Sequence, residues 1–168
     1  MKKIMYLHGL EGDANGTKGL YCQTQYGAVS PQMPATLKAL LQNKSLCISD
    51  CYEVALKAVL EHKPDIIIGS SFGGGITMLL MQRGHHKGDA ILLAPAGVKY
   101  GLSPQLPQES KVILIHDPED DIVPYSDSLK ILSANAHCQL WKADSGHKLH
   151  DITTNGQLNR AVYALSQV

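Results

Sequence analysis

Residues 65–73 of this chain read Asp-Ile-Ile-Ile-Gly-Ser-Ser-Phe-Gly, an apolar run that passes directly into a Gly-x-Ser-x-Gly motif. A helical pattern follows at residues 76–81. The glycines let a buried strand and a helix approach closely, and the serine between them is held out over the edge of the sheet. The motif therefore predicts a strand, a sharp turn and a helix, with Ser71 as a candidate nucleophile. The same residues would also suit a simple strand-to-helix turn, in which glycine relieves crowding and serine caps the helix.

Apolar runs that are typical of buried strands alternate with helical patterns along the chain. This alternation predicts an α/β fold, a doubly wound and mainly parallel sheet of about six strands with helices on both faces. The predicted strands lie at about 2–7, 27–30, 65–70, 88–94, 111–116 and 137–142. The predicted helices lie near 16–25, 34–42, 50–62, 72–83, 124–135 and 155–167. Asp50 and Glu53 would form a capping box at the start of the third helix.

The composition predicts a single domain spanning residues 1–168. The chain has 15 Lys and Arg against 15 Asp and Glu, so its formal net charge at pH 7 is zero. No block of basic residues is present, and we therefore expect no binding of nucleic acid. The N-terminal apolar run is too short for a signal peptide, and no stretch is long enough to span a membrane. These features predict a cytoplasmic location.

The four cysteines are expected to be reduced thiols in that compartment. Cys47 and Cys51 lie four residues apart, but no second pair of Cys or His with the spacing of a zinc site stands nearby. We therefore predict neither a metal nor a cofactor.

Two of the predicted strand ends should meet at one edge of the sheet. In a doubly wound sheet the first and third of these strands lie side by side, and ligands bind beyond their carboxyl ends. The first strand ends at His8-Gly9-Leu10 and the third ends at Ser71. The backbone N–H groups of Leu10 and Phe72 are then the pair expected to stabilise an oxyanion. His8 is expected to stabilise the turn through hydrogen bonds rather than to take part in chemistry.

Nucleophilic serine chemistry requires a base that accepts the hydroxyl proton and usually a carboxylate that orients this base. Residues 116–124, His-Asp-Pro-Glu-Asp-Asp-Ile-Val-Pro, follow the fifth predicted strand, and residues 144–147, Asp-Ser-Gly-His, follow the sixth. Both segments lie at the same sheet edge as the serine, in the order Ser, Asp, His. For the base we favour His147 over His150, because the preceding glycine permits a tight turn. Asp117, Asp120 and Asp121 all compete for the role of the acid, because a loop can expose any of them.

Taken together, these motifs resemble the α/β-hydrolase superfamily. The resemblance covers nearly the whole chain and rests on four segments, at residues 8–12, 69–73, 116–124 and 145–147. It implies an oxyanion hole formed by Leu10 and Phe72, with Ser71 as nucleophile, Asp120 as acid and His147 as base. Family members often carry His-Gly-x-x-Asp-x-x-Val-Pro, and this spacing selects Asp120. The small size and the Tyr-Leu-His-Gly start also resemble the small bacterial esterases of the YqiA type.

Two residues depart from the family pattern. Asp117 stands where relatives usually have glycine, which could alter the turn that presents the acid. Glu11 lies beside the proposed oxyanion donor, where an inward carboxylate would oppose the developing charge, so we expect it to face solvent. His116, at the end of a predicted strand, is expected to have a structural role.

The resemblance implies a serine hydrolase that cleaves a small carboxylic ester or thioester through an acyl-enzyme intermediate. The site should be open, because only residues 95–110 separate the two strands between which larger relatives insert a lid. A catalytically silent binding protein of the same fold is the alternative. A nucleotide-binding domain is disfavoured, because Ser71 stands where Gly-x-Gly-x-x-Gly requires glycine. The substrate and the oligomeric state stay open.

Overall fold

The computed structural model describes residues 2–167 of the chain. Its centre is a five-stranded sheet in which the strand order follows the chain order. The strands are β1 (Ile4–Leu7), β2 (Ile66–Ser70), β3 (Asp89–Leu93), β4 (Val112–His116) and β5 (Cys138–Lys142). The helices are α1 (Thr17–Tyr26), α2 (Leu37–Gln42), α3 (Lys44–His62), α4 (Phe72–Gln82), α5 (Tyr125–Ala134) and α6 (Gln157–Ser166), with a 3-10 turn at Val98–Tyr100.

Helices cover both faces of the sheet, as its uninterrupted apolar strands predict. All neighbouring strands are parallel. Successive side chains of a strand point to opposite faces. Ile66 and Ile68 accordingly pack in the cluster that includes α1 and α6, whereas Ile67 packs with α3 and α4. A strand buried on both faces needs apolar residues at every position, which explains the run of three isoleucines. The α/β architecture predicted from the sequence is confirmed.

The predicted strand at residues 27–30 is wrong. Val29 forms one isolated parallel bridge with Met5, at the edge of β1 that β2 leaves free. Gly27 precedes the bridge in the left-handed region at a φ of 64°. Pro31 follows the bridge, and proline lacks the N–H that would extend the pairing. Within residues 2–167 the sheet therefore has five strands rather than six, with a single bridge in place of the missing strand.

The predicted start of the third helix is also wrong. Helix α3 begins at Lys44, where the side chain of Asn43 accepts a hydrogen bond from the N–H of Leu46 (3.0 Å). Asp50 and Glu53 lie inside this helix and form no capping box. An asparagine amide oxygen in front of a helix satisfies a free N–H as well as an aspartate does, and Asn43 does so seven residues before Asp50.

The order of the strands brings the candidate site together. Leu7 of β1 pairs with Gly69 of β2, so the first strand lies beside the strand that precedes the serine, as predicted. The chain reaches the Val29 bridge on one side of β1 and then returns to form β2 on the other side. Because all five strands are parallel, the loops that follow them collect at one edge. Between β3 and β4 the chain forms only the short 3-10 turn, and no lid is present within residues 2–167.

All four cysteines are buried free thiols. Within the described part of the chain, no group of three or more His, Cys, Asp or Glu side chains could hold a metal ion. None of the helices described is both long and apolar enough to cross a membrane.

Candidate active site

Ser71 lies at the turn between β2 and α4 in a strained backbone conformation. Its φ is 53° and its ψ is −112°, a region that residues other than glycine rarely adopt. The last residue of β3 and the loop after this strand hold this turn in place. The N–H of Ser71 donates to the carbonyl of Leu93 (2.8 Å), and its own carbonyl accepts from the N–H of Ala96 (2.9 Å). Strain of this kind persists only where the surroundings impose it, and it is concentrated at functional sites.

Close packing requires both glycines of the motif. A Cβ atom on Gly73 would lie 2.2 Å from the carbonyl oxygen of Leu7, a backbone atom of the neighbouring strand. A Cβ atom on Gly69 would lie 2.3 Å from Oγ1 of Thr77 in the following helix. Real atoms do not approach this closely, so any larger residue would push the strand and the helix apart. The motif therefore forms the sharp elbow that the sequence predicts.

Ser71, His147 and Asp120 form a hydrogen-bonded chain. Ser71 Oγ lies 2.9 Å from His147 Nε2, and His147 Nδ1 lies 2.8 Å from Asp120 Oδ2. An ionised carboxylate only accepts hydrogen bonds, so Nδ1 carries the proton and donates it. Nε2 is then free to accept the serine hydrogen. The three residues that the sequence selected are brought together in the geometry that proton transfer from serine to imidazole requires.

The Asp120 carboxylate is fully buried and held by the backbone of its own loop. Its Oδ1 accepts hydrogen bonds from the N–H groups of Ile122 (2.8 Å) and Val123 (2.9 Å). Burial alone would raise the pKa of Asp120. The hydrogen bonds from Val123, His147 and Ile122 outweigh this effect and hold its pKa below the usual value. Asp120 therefore stays ionised at neutral pH, whereas Asp121 is exposed to solvent.

His116 shares the same carboxylate oxygen, a contact that the sequence analysis missed. Its Nε2 lies 3.0 Å from Asp120 Oδ2 and 3.1 Å from the carbonyl of Val123, and since both oxygens are acceptors, Nε2 carries a proton. Its Nδ1 lies 2.7 Å from Ser128 Oγ. Burial lowers the pKa of His116, so the ring is neutral and the Ser128 hydroxyl donates to Nδ1. Two imidazoles thus donate to one oxygen of Asp120. The sequence signal for this contact was the spacing of four residues between His116, at the end of β4, and Asp120 in the following loop.

Asp117, which stands in place of the usual glycine, joins two loops. Its Oδ2 accepts from the N–H of Gly146 (2.6 Å), and its Oδ1 accepts from the N–H of Glu119 (2.8 Å). The side chain is almost completely buried. The turn that presents Asp120 is intact, and the loop of the candidate base is anchored one residue before His147.

The loop after β1 lies directly against the serine. A Cβ atom on Gly9 would lie 3.3 Å from Cβ of Ser71, a tight contact that glycine avoids. Within residues 2–167, neither the N–H of Leu10 nor that of Phe72 donates to a protein acceptor. Phe72 is the first residue of α4, and the first N–H groups of a helix have no partner within it. Both predicted oxyanion donors therefore have no hydrogen-bond acceptor within the described part of the chain.

Glu11 does not face the serine. It is exposed, and its Oε1 accepts a hydrogen bond from the N–H of Leu37 at the start of α2 (2.6 Å). A carboxylate at this position stabilises the positive end of the helix dipole. Glu11 therefore faces solvent, as the sequence analysis expects.

His8 has the structural role that was predicted for it. It is buried, and its Nε2 accepts from the N–H of Met33 (2.9 Å). Its Nδ1 must then carry the proton, which it donates to the carbonyl of Gly9 (2.8 Å). These bonds fix the loop that presents Leu10.

A cleft of about 480 Å³ lies above these residues at the carboxyl edge of the sheet. Its walls come from the loops after several strands and from the first turn of α1. The lining includes Leu10, Lys18, Ser71, Tyr100, Ile122 and His147. His150 also lines this cleft, but His147 is the histidine that contacts the serine. The cleft lies where a doubly wound sheet is expected to bind its ligand.

No family model matches the sequence, and no curated protein is significantly similar to it. Solved structures do match along nearly the whole chain. Two are provisionally assigned hydrolases. The one from Agrobacterium vitis S4 has a TM-score of 0.79 and 18% identity over 99% of this chain and 88% of that one. The other, of the alpha/beta superfamily, is from Xanthomonas campestris pv. campestris. It has a TM-score of 0.75 and 16% identity, and the match covers 99% of this chain and 98% of that one.

A third similar structure is a serine hydrolase from the bacterium Cycloclasticus zankles. It has a TM-score of 0.70 and 13% identity, and the match covers 96% of this chain and 88% of that one. At such low sequence identity, structural similarity shows only that the backbones are arranged in the same way. This chain has the α/β-hydrolase fold, in a small form that shows no lid in the part of the chain that the structure describes. The narrower resemblance to YqiA-type esterases stays a prediction.

Proposed function

We propose that this protein is a serine hydrolase that cleaves a carboxylic ester or thioester through an acyl-enzyme intermediate. The observation that carries the proposal is the hydrogen-bonded chain from Ser71 through His147 to the buried Asp120. The strained elbow and the two free backbone donors beside it support the same conclusion. The structural likeness to a serine hydrolase supports it further.

In the first half of the reaction, His147 Nε2 accepts the proton of the Ser71 hydroxyl while Oγ attacks the acyl carbon. The carbonyl oxygen becomes an oxyanion, which the N–H groups of Leu10 and Phe72 stabilise. Asp120 stays ionised and stabilises the imidazolium that forms. His147 then gives its proton to the departing alcohol or thiol, and the acyl group stays on Ser71.

In the second half, His147 accepts a proton from water, and the hydroxide that this generates attacks the acyl carbon. The imidazolium returns the proton to Ser71 Oγ, and the carboxylic acid leaves. Every proton is accounted for by the three side chains and one water molecule, so the proposed reaction requires no cofactor. We keep the predicted cytoplasmic location as a proposal.

The decisive experiment compares Ser71→Ala with Ser70→Ala in hydrolysis of para-nitrophenyl acetate and of an acetyl thioester. We expect Ser71→Ala to lose on the order of 10⁴ to 10⁶ in kcat, as removal of a triad nucleophile does. Ser70 is the last residue of β2 and is the matched control, because the same hydroxyl is removed one position earlier. If Ser70→Ala is the inactive variant, the nucleophile has been assigned to the wrong serine.

Labelling with a fluorophosphonate separates an enzyme from a silent binding protein of the same fold. An activated serine forms a covalent adduct, and peptide mass spectrometry should find it on Ser71. A folded protein that neither reacts with this probe nor hydrolyses any ester would support the binding protein instead.

A further inference from the structure

Two lysines line the wall of the cleft that α1 and the His147 loop form. Lys18 lies in the first turn of α1, and Lys148 directly follows His147. The ammonium group of Lys18 donates a hydrogen bond to the carbonyl oxygen of Lys148. A positive charge is therefore held at the loop that carries the candidate base.

Neither charge has a counter-ion within the described part of the chain. Residues 2–167 contain no ion pair that involves Lys18 or Lys148. The titratable groups that most affect Lys18 are Cys22 and Lys148. Burial raises the pKa of the Cys22 thiol to about 12, so this neighbour is neutral. Lys148 has a like charge.

The half-buried position of Lys18 is electrostatically unfavourable. Burial lowers its pKa, and the nearby charge of Lys148 lowers it further. A desolvated cation beside a like charge needs an anion to offset both effects. Asp13 is the one carboxylate among the residues that line the cleft, and its Oδ1 accepts from the N–H of Asn15 (2.7 Å). The cleft thus has two cationic side chains against one anionic side chain.

We propose that the cleft accepts esters or thioesters that carry an anionic group, which Lys18 and Lys148 bind while Ser71 attacks the acyl carbon. This inference rests on the proposed function. The anionic group is a carboxylate or a phosphate, because both accept hydrogen bonds from ammonium groups. The N-terminal turn of α1 lies on the same wall and adds the positive end of its dipole.

The test compares esters that differ only in charge. Para-nitrophenyl hydrogen adipate and para-nitrophenyl hexanoate have acyl chains of equal length, ending in a carboxylate and a methyl group. Para-acetoxybenzoate and its methyl ester place the charge on the leaving group instead, and para-acetoxyphenyl phosphate replaces the carboxylate with a phosphate. We expect kcat/KM to be about tenfold or more higher for at least one charged ester than for its neutral partner, as charged hydrogen bonds allow.

Three variants of Lys18 and Lys148 show whether these side chains cause the preference. The readout is the ratio of kcat/KM for the charged and neutral esters. This ratio cancels any loss that both esters share because Lys18 also holds the His147 loop. Lys18→Met and Lys148→Met should lower the ratio toward one, mainly through KM of the charged ester, and Lys18→Arg should preserve it. Lys57→Met is the matched control, since it removes an equal charge from an exposed position on α3.

The outcomes distinguish a failure of this inference from a failure of the proposed function. A wild-type ratio near one for every pair overturns the inference, as does a preference that persists in the Lys18→Met, Lys148→Met double variant. Hydrolysis of the neutral esters would leave the proposed function standing in both cases.

Circular dichroism checks whether each variant folds. If a variant does not fold, the wild-type ratio is measured as ionic strength rises from about 0.01 M to about 1 M, where screening should reduce it. A preference that salt does not change would contradict the proposal.

Discussion

At the scale of single residues, one oxygen atom of Asp120 holds the candidate site together. Its Oδ2 accepts hydrogen bonds from His147 and from His116, while its Oδ1 is fixed by the loop backbone. The carboxylate can therefore not rotate without breaking several bonds at once. A carboxylate fixed in this way keeps the imidazole of His147 in one orientation and one tautomer. His116 is thus a positioning residue for the acid, although it does not contact the cleft.

The contacts of Asp120 and Asp117 predict different losses on mutation. Asp120→Asn should lower kcat by about 10³ to 10⁴, because an amide can donate to Nδ1 and stabilise the wrong tautomer of His147. Asp117→Asn should cost about 10-fold to 100-fold, because it weakens the anchor at Gly146 without touching the imidazole. Esterase kinetics of the purified, folded variants measure both effects.

Asp121→Asn is the matched control for this series, because Asp121 is exposed beside the acid. It should change kcat less than threefold or so, as a surface substitution does. If the substitution at position 117 or 121 caused the largest loss of kcat, the assignment of Asp120 as the acid would be contradicted.

The neutral, buried ring of His116 predicts that the protein loses stability in mild acid. Burial lowers the pKa of His116 in the folded state, so near pH 6 the unfolded chain binds a proton that the folded protein does not. The free energy of unfolding should fall as the pH drops below about 6.5, by at most about 1.4 kcal/mol per pH unit for this group. Asp120 adds a second loss at lower pH, because its stabilising effect disappears as the pH falls through its lowered pKa.

Urea denaturation at pH 7.5 and pH 5.5 measures this dependence. His116→Gln should reduce the difference in free energy of unfolding between the two pH values, whatever it does to absolute stability. His62→Gln is the control, because His62 is a partly exposed histidine at the end of α3. An unchanged difference in His116→Gln would show that this ring is not the group that titrates.

At the scale of secondary structure elements, the approach of α4 to β1 determines whether the elbow can form. Gly73→Ala would place a methyl group 2.2 Å from the Leu7 carbonyl oxygen. Backbone atoms of a central sheet cannot move aside cheaply, so we expect destabilisation of about 1 to 3 kcal/mol and a loss of most esterase activity. Thermal unfolding and kcat/KM measure the two effects.

Gly75→Ala is the matched control within the same helix. Its added Cβ would lie 3.1 Å from the nearest atoms of Gly97, a contact that a small shift relieves. Alanine also favours the helix by up to about 1 kcal/mol over glycine. Equal destabilisation by the two substitutions would show that the short distance at Gly73 does not limit the fold.

At the scale of the whole molecule, the lack of a lid predicts a preference for short acyl chains. The connection between β3 and β4 contains only a 3-10 turn, and Ile122 on the wall of the cleft is 51% exposed. Each methylene that is buried contributes about 0.8 kcal/mol, but a shallow cleft buries few of them. Uncharged para-nitrophenyl esters should therefore be hydrolysed best as acetyl to butyryl esters. A kcat/KM that continues to rise up to the dodecanoyl ester would instead indicate a deep apolar channel.

The sequence by itself was sufficient for the α/β architecture and for the choice of three residues that the structure brings together at the candidate site. The isoleucine run and the Gly-x-Ser-x-Gly motif specify a buried strand, an elbow and a helix, because strand burial and glycine contacts depend on residues close in the chain. The family spacing selected Asp120 among three neighbouring carboxylates, and the glycine before His147 favoured this histidine. The local pattern was misleading at residues 27–30, which it predicted to be a strand. Pro31 limits the pairing there to one bridge at Val29.

Only the tertiary structure decided which side chains from distant loops meet. The anchor from Asp117 to the loop that carries His147 and the contact of Lys18 with Lys148 are both absent from any local pattern. Lys18 and Lys148 are 130 residues apart, and their contact depends on how α1 packs against the final loop. Periodicity in a sequence reports which face of an element is buried, whereas the partner of a buried polar atom is set by the packing of whole elements.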